Sequence, residues 1–141
     1  MKLNELYSKE FSQKKTFEVL RSDGTPSGGH ITLKSPDDDA AALAFMRFNR
    51  LLGKYAKYFE SKHELLQKEC EEAGDFREYN YMFNAGLIEL NNALAIDIVE
   101  GWDFDDVFSV QALENILKEF NGLGEQVVTE FINSINEQQK K

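Results

Sequence analysis

Ile96-Asp97-Ile98-Val99-Glu100-Gly101-Trp102-Asp103-Phe104-Asp105-Asp106-Val107-Phe108-Ser109-Val110-Gln111-Ala112-Leu113-Glu114-Asn115-Ile116-Leu117 is the stretch around which the chain is ordered. It reads as a joint between two helices. Its first residues finish an apolar helix, and Gly101 and Trp102 are read as the stop. Three aspartates with Phe104, Val107 and Phe108 form a link, and Ser109 opens a new helix as its N-cap. Trp102 is the only tryptophan of the chain. An indole beside a glycine fills the gap left where two helices change direction.

Upstream of the joint, the spacing predicts two long antiparallel helices. Ser35-Pro36-Asp37-Asp38 reads as a helix start: Ser35 as cap, Pro36 at the first helical position, and acids at the positive end of the dipole. Ala41, Ala44, Phe48, Leu51, Leu52, Tyr55, Tyr58, Phe59 and Leu66 then recur at steps of three and four. They predict one helix to Ala73, with Gly53 as a bend point. Lys62 falls inside this stripe and must snorkel to water. Leu43, Phe45 and Met46 lie off it, so the first turns call for a second covering surface, for which a neighbouring hairpin is the candidate. Gly74-Asp75 breaks the pattern, with Asp75 as the next cap. Phe76, Tyr79, Phe83, Leu87, Leu90, Leu94 and Ile98 mark the second helix, which the short connection makes antiparallel to the first. Asp97 and Glu100 oppose the dipole at its end, so either a cation pairs with them or that turn frays.

The N-terminal third is different in character. Met1 to Lys15 is a polar arm carrying Leu3, Leu6, Tyr7 and Phe11. Thr16 to Leu20 is β-branched and aromatic, and His30 to Leu33 alternates. Asp23-Gly24 and Gly28-Gly29 between them supply the positive φ that turns require, predicting a β-hairpin with a loose loop from Arg21 to Gly29. Two strands alone are marginal, so the hairpin must pack on the helices. Downstream, Val110, Leu113, Ile116, Leu117 and Phe120 form a short amphipathic helix that Asn121-Gly122 is expected to end through a left-handed residue. Leu123, Val127, Val128, Phe131, Ile132 and Ile135 form the last helix. The expected fold is mainly α: an antiparallel bundle of about four helices with a small N-terminal β-hairpin. The expected organisation is one domain over 1–141. Within it, 1–34 is arm and hairpin, 35–100 the long helical pair, 101–108 the link, 109–136 two short helices and 137–141 a polar tail.

Composition narrows the function. Acids outnumber bases 25 to 16, a net charge of -9. Such a surface repels phosphate backbones and acidic headgroups, so nucleic acid and membrane are not the expected partners. Cys70 is the single cysteine and rules out an internal disulfide. The first residues have no continuous apolar run, and an intracellular protein is expected.

No catalytic, cofactor or metal constellation emerges. Glu60-Ser61-Lys62-His63 has the spacing of a carboxylate di-metal half-site, but the second half is missing because the only other histidine, His30, lies in the hairpin. His63 and Cys70 are about two turns apart, roughly 10 Å, too far to share a proton. Gly24, Gly28 and Gly29 lead into a strand and not a helix, so they make a turn and not a phosphate cradle. Asp37-Asp38-Asp39 belongs to a helix start. Asp103, Asp105 and Asp106 lack the glycine and glutamate of a calcium loop.

What stands above this background is the aromatic load of eleven phenylalanines, five tyrosines and one tryptophan. Most belong to helix stripes and hence to a core. Phe45, Met46, Tyr81, Met82 and Phe104 fall off the stripes. With Trp102 and Phe108 of the joint they are the candidates for an acid-rimmed apolar surface that holds another protein.

The joint also carries a likeness. Ile98-Val99-Glu100-Gly101-Trp102-Asp103, an acidic spacer, then Phe108-Ser109-Val110-Gln111-Ala112-Leu113 with Ile116-Leu117 resembles the tail assembly chaperones of long-tailed, siphovirus-like bacteriophages. In that family an apolar pair precedes Gly-Trp-Asp, and Phe-Ser opens a short leucine-rich helix. The order of hairpin and helices is similar over most of the chain. The spacer here is shorter, lacks an Asp-Gly turn or proline before Phe108, and has Gln111 where an acid is common. The resemblance implies a non-enzymatic protein acting in the host cell cytoplasm and absent from the mature virion. It implies binding to the tape measure protein, which is kept soluble while tail-tube protein is recruited. It further implies a longer product made by programmed frameshifting; Lys140-Lys141 would fit adenine-rich slippery codons, although a terminal lysine pair is ordinarily solvated charge. Self-association would suit a factor that coats a long partner. The alternative from another class is a small acidic regulator or inhibitor docked on a host enzyme or a DNA-binding protein; DNA mimicry would need rows of acids on one face.

Overall fold

The computed structural model describes residues 14–139, with side chains described through Glu137. The expectations for the arm before Lys14 and for Lys140-Lys141 lie outside the described residues. Eight elements follow in order: β1 (Lys15–Leu20), β2 (Pro26–Leu33), α1 (Asp39–Lys62), α2 (Glu64–Ala73), α3 (Arg77–Ile98), β3 (Val99–Trp102), α4 (Val110–Glu119) and α5 (Leu123–Gln139). The fold is mainly helical with a small N-terminal sheet, as the hydrophobic spacing predicts. Among the described residues the sheet, however, has three antiparallel strands in the order β1-β2-β3.

The third strand is the main departure from the sequence reading. Gly101 and Trp102 do not stop a helix. α3 already ends at Ile98, and Val99 turns extended with φ -80 and ψ 128. From there Val99, Gly101 and Trp102 pair with Leu33, Thr32 and Ile31 of β2. The Lys34 amide donates to the Ile98 carbonyl at 2.8 Å, so the strand pairing begins on the last helical residue. The cause is tertiary: β2 offers free backbone groups at the point where α3 runs out of helical ones. Glu100 therefore stands in a strand, and its cation is Lys14 at 2.6 Å.

The hairpin turn is tighter than expected. Arg21 and Thr25 close it, with Gly24 at φ 84 and its amide donating to Arg21 O. Pro26 to Gly29 belong to β2, where an irregularity absorbs them: Glu18 faces His30 and Leu20 faces Pro26, so two steps on β1 answer four on β2. The exposed end of β1 is closed by a side chain. Gln126 of α5 accepts from the Leu20 amide at 2.8 Å and donates to the Leu20 carbonyl at 2.9 Å, as a fourth strand would. Lys15 adds ion pairs to Glu130 and Glu137 of α5.

The helices correct several other details. Asp38, not Ser35, caps α1, accepting from the Ala41 amide at 3.0 Å, while Ser35 accepts from Asp37 one turn earlier. α1 passes Gly53 without interruption, and the predicted single long helix is instead divided at His63, whose ring lies 4.3 Å from that of Phe59. Asp75 accepts from the Arg77 amide at 3.0 Å, although Phe76 holds the cap position. Ser109 caps α4 through the Ala112 amide. Asn121 and Gly122 are not left-handed: Phe120 ends α4 in an extended conformation, whereas Gly74 ends α2 at φ 67. α5 runs on to Gln139, through the beginning of the expected tail.

The antiparallel pairing of α1 with α3 is visible in its rings. Tyr55 meets Phe83, and four residues on Phe59 meets Tyr79. The Tyr55 hydroxyl donates to Phe83 O at 2.8 Å and lies where Gly86 leaves room. The core gathers at the other end of this pair, where Leu94, Ala95 and Ile98 of α3 sit among Ile31 and Leu33 of the sheet, Leu113 and Leu117 of α4, and Val127 and Phe131 of α5. The hairpin does not cover the outer side of α1: Leu43 and Met46 stay 60% and 63% exposed. Phe45 instead turns onto Phe131.

Phe131, 1% exposed, fills the space beneath that ring. We expect Phe131→Ala to lower the unfolding free energy by about 3–5 kcal/mol and Ser109→Ala by about 1 kcal/mol. Met46→Ala should stay within about 0.5 kcal/mol of the parent. Urea unfolding of the three variants measures all of this, and equal losses at Phe131 and Met46 would contradict the packing described.

Candidate functional site

The joint at Trp102 is built by short-range demands. β3 delivers Trp102 to the edge of the sheet, opposite Ile31. Its half-buried indole needs an acceptor, and the Nε1–H donates to the Asp106 carbonyl at 2.7 Å, which curls the link back over the ring. Phe104 and Phe108 then meet Trp102 edge to face, with centroids 5.6 and 4.9 Å away. The ring of Phe104 lies on Gly29, where a Cβ would come within 1.9 Å of it. Gly29 is thus required for close approach and not for a turn.

One residue ties the link to the sheet. The Asp103 amide donates to His30 O at 3.1 Å, while its carboxylate accepts from the His30 amide at 2.6 Å. The second carboxylate oxygen lies 2.9 Å from His30 Nδ1. The His30 amide is the main cause that holds the Asp103 carboxyl below its ordinary value of 3.8, against desolvation and with help from the His30 ring.

Beside this joint opens a groove of about 570 Å³ between the hairpin, the link and α4. Val19, Trp102, Ile116 and Phe120 give it apolar walls, and Arg21, Asp106 and Glu119 stand on its rim. A smaller depression of about 400 Å³ lies next to it, rimmed by Glu18, Glu125 and Glu130. Leu20, 42% exposed, lines both. The arrangement can hold an apolar segment of another protein within a charged border in which acids outnumber the single base Arg21. Among the described residues, no group of three or more His, Cys, Asp or Glu is placed to hold a metal ion, and no helix is long and apolar enough to cross a membrane.

The seven residues selected from sequence divide into three groups. Trp102 and Phe104 line the groove, and Phe108 supports Trp102 from behind. Phe45 is half-buried between Phe48 and Phe131 and belongs to the core. Met46, Tyr81 and Met82 lie on the helical pair, with Tyr81 77% exposed. Because Tyr55 meets Phe83, Met46 and Tyr81 stand at levels roughly 15 Å apart along the antiparallel pair. None of the three lines the groove at Trp102. Leu20, Ile116 and Phe120 line the groove without having been singled out. Their spacing is that of ordinary strand and helix stripes, which carries no mark of a wall left open.

A sequence model of the family described as phage tail assembly chaperone matches residues 28–141, from the second strand through the last helix. Comparison with curated proteins and comparison with solved structures gave no match.

Trp102 reports the joint directly by its fluorescence. A carboxylate with a depressed folded pKa stabilises the native joint above its ordinary value, and that contribution is lost as pH falls through the folded value. We therefore expect emission to hold steady down to about pH 4 and to change below 3.8. In Asp103→Asn this acid-side change should be absent, and an identical titration in the variant would show that Asp103 does not secure the link.

Proposed function

The chain belongs to the phage tail assembly chaperones, and from that premise we propose that it binds the tape measure protein, keeps it soluble and helps recruit tail-tube protein during tail morphogenesis. Members of this family serve an assembly role with protein partners and without catalysis. The observation that carries the finer reading is the apolar groove at Trp102, with Leu20 and Phe104 partly exposed at it. A partner held unassembled exposes apolar segments that would otherwise meet one another. A groove of this kind removes such a segment from water, at about 25 cal/mol per Å² of apolar surface covered. The acids on its borders, within a chain of net charge -9, keep the complex dispersed. We assign the contact with tube protein to a longer, frameshifted product and the site of action to the host cell cytoplasm, before the virion is complete.

Co-expression with the tape measure protein of the same phage, followed by affinity capture, tests this reading. The partner should become soluble and co-purify. Leu20→Ser with Phe104→Ser should lower its recovery about tenfold, with circular dichroism unchanged. A tape measure protein that stays insoluble and uncaptured beside the folded chain would overturn the assignment.

A further inference from the structure

Between Ala40 and Phe59 the chain has no acidic residue, although acids outnumber bases 25 to 16 overall. The same segment holds Arg47, Arg50, Lys54 and Lys57, at steps of three, four and three. On α1 these steps bring all four within roughly 80° of one another, over about 15 Å of helix axis. All four are exposed. They point away from the Ala41, Ala44, Phe48 and Phe59 stripe that α1 buries. Among the described residues, none of them takes part in an ion pair. Leu43, Met46 and Tyr58 share the face and are 60%, 63% and 61% exposed. No α1 residue lines the groove at Trp102.

We propose that the outer face of α1 is a second docking surface, separate from the groove, which takes an acidic amphipathic helix of a partner protein. Its carboxylates would answer Arg47, Arg50, Lys54 and Lys57, and its apolar side chains would cover Leu43, Met46 and Tyr58. Charge selects the class of ligand, and the extent of the stripe selects a protein. Duplex DNA carries one charge per about 1.7 Å and extends beyond 15 Å, so most of it would lie along a molecule of net charge -9. A membrane would need a continuous apolar face to bury, whereas here cations occupy the middle of the face and the apolar side chains its margins. An acidic helix of three to four turns has the matching length and periodicity. The 3-4-3 spacing is the same in both directions, so either helix polarity presents carboxylates to all four cations.

The test uses the intact chain and a fluorescein-labelled helical peptide of roughly 20 residues with Glu at the 3-4-3 spacing and Leu beside it. Fluorescence anisotropy should show binding that weakens at least tenfold between about 50 and 200 mM salt. The same peptide with Lys in place of Glu should not bind, and a duplex DNA of similar length should bind more weakly. R47E/R50E/K54E/K57E should abolish binding while circular dichroism is retained. If that variant fails to fold, R50Q/K54Q should still weaken binding about tenfold. Undiminished binding by either folded variant, no binding by the parent chain, or tighter binding of DNA would each overturn the proposal. Capture of the tape measure protein is a separate readout through different residues, so either result can fail without the other.

Discussion

Everything in this molecule hangs on the pairing of β3 with β2. Four residues, Val99–Trp102, leave the end of α3 and complete a sheet whose other strands come from the opposite end of the chain. That closure draws Leu94, Ala95 and Ile98 into the middle of the core, because the last turns of α3 are held directly against Ile31 and Leu33. It also delivers Trp102 to the sheet edge, from which the Asp103 bonds to His30 and the indole bond to Asp106 shape the link. Without the strand pairing, α4 would have no defined starting point. Its cap at Ser109 lies just after the Phe108 ring that rests on Trp102.

The same closure leaves the molecule with two unlike halves. Around α3's last turns, sheet and helices surround a packed interior, and the groove forms where hairpin and α4 diverge. Beyond it, the first part of α3 pairs with α1 through a ladder of rings, Tyr55, Phe59, Tyr79 and Phe83. An antiparallel pair buries one stripe of each helix, so its outer faces remain in water. Charge is divided accordingly: acids outnumber Arg21 around the groove and depression, and bases follow the outside of α1. A chaperone that holds one segment while contacting another gains from surfaces that attract different chemistries, since opposite potentials suppress the wrong pairing.

Much of this was legible in the chain. Steps of three and four located α1, α3, α4 and α5, and the concentration of aromatics at the joint marked Trp102 and Phe104. The groove as a whole was not legible. Leu20 ends a strand and Ile116 belongs to a helix stripe, and nothing local distinguishes an apolar residue that meets a neighbour from one that meets open space. Phe45 shows the converse. Its position off the α1 stripe suggested exposure, yet Phe131 of α5 came to cover it. Periodicity shows that the first turns of α1 need a second cover but not which element supplies it.

What the sequence determined by itself are the properties that arise within a few residues: helix type and caps such as Ser109, the Gly24 turn, the acidic balance, and the basic run on α1. The Gly-Trp-Asp joint was enough to indicate the family. Only the tertiary structure decided that Val99–Trp102 is a strand, that Gly29 exists to admit Phe104, and that Gln126 closes the edge at Leu20. Backbone groups must find partners wherever they are offered, and at β3 and at Leu20 the partner comes from a distant part of the chain, while at Gly29 it is a distant ring that needs the space.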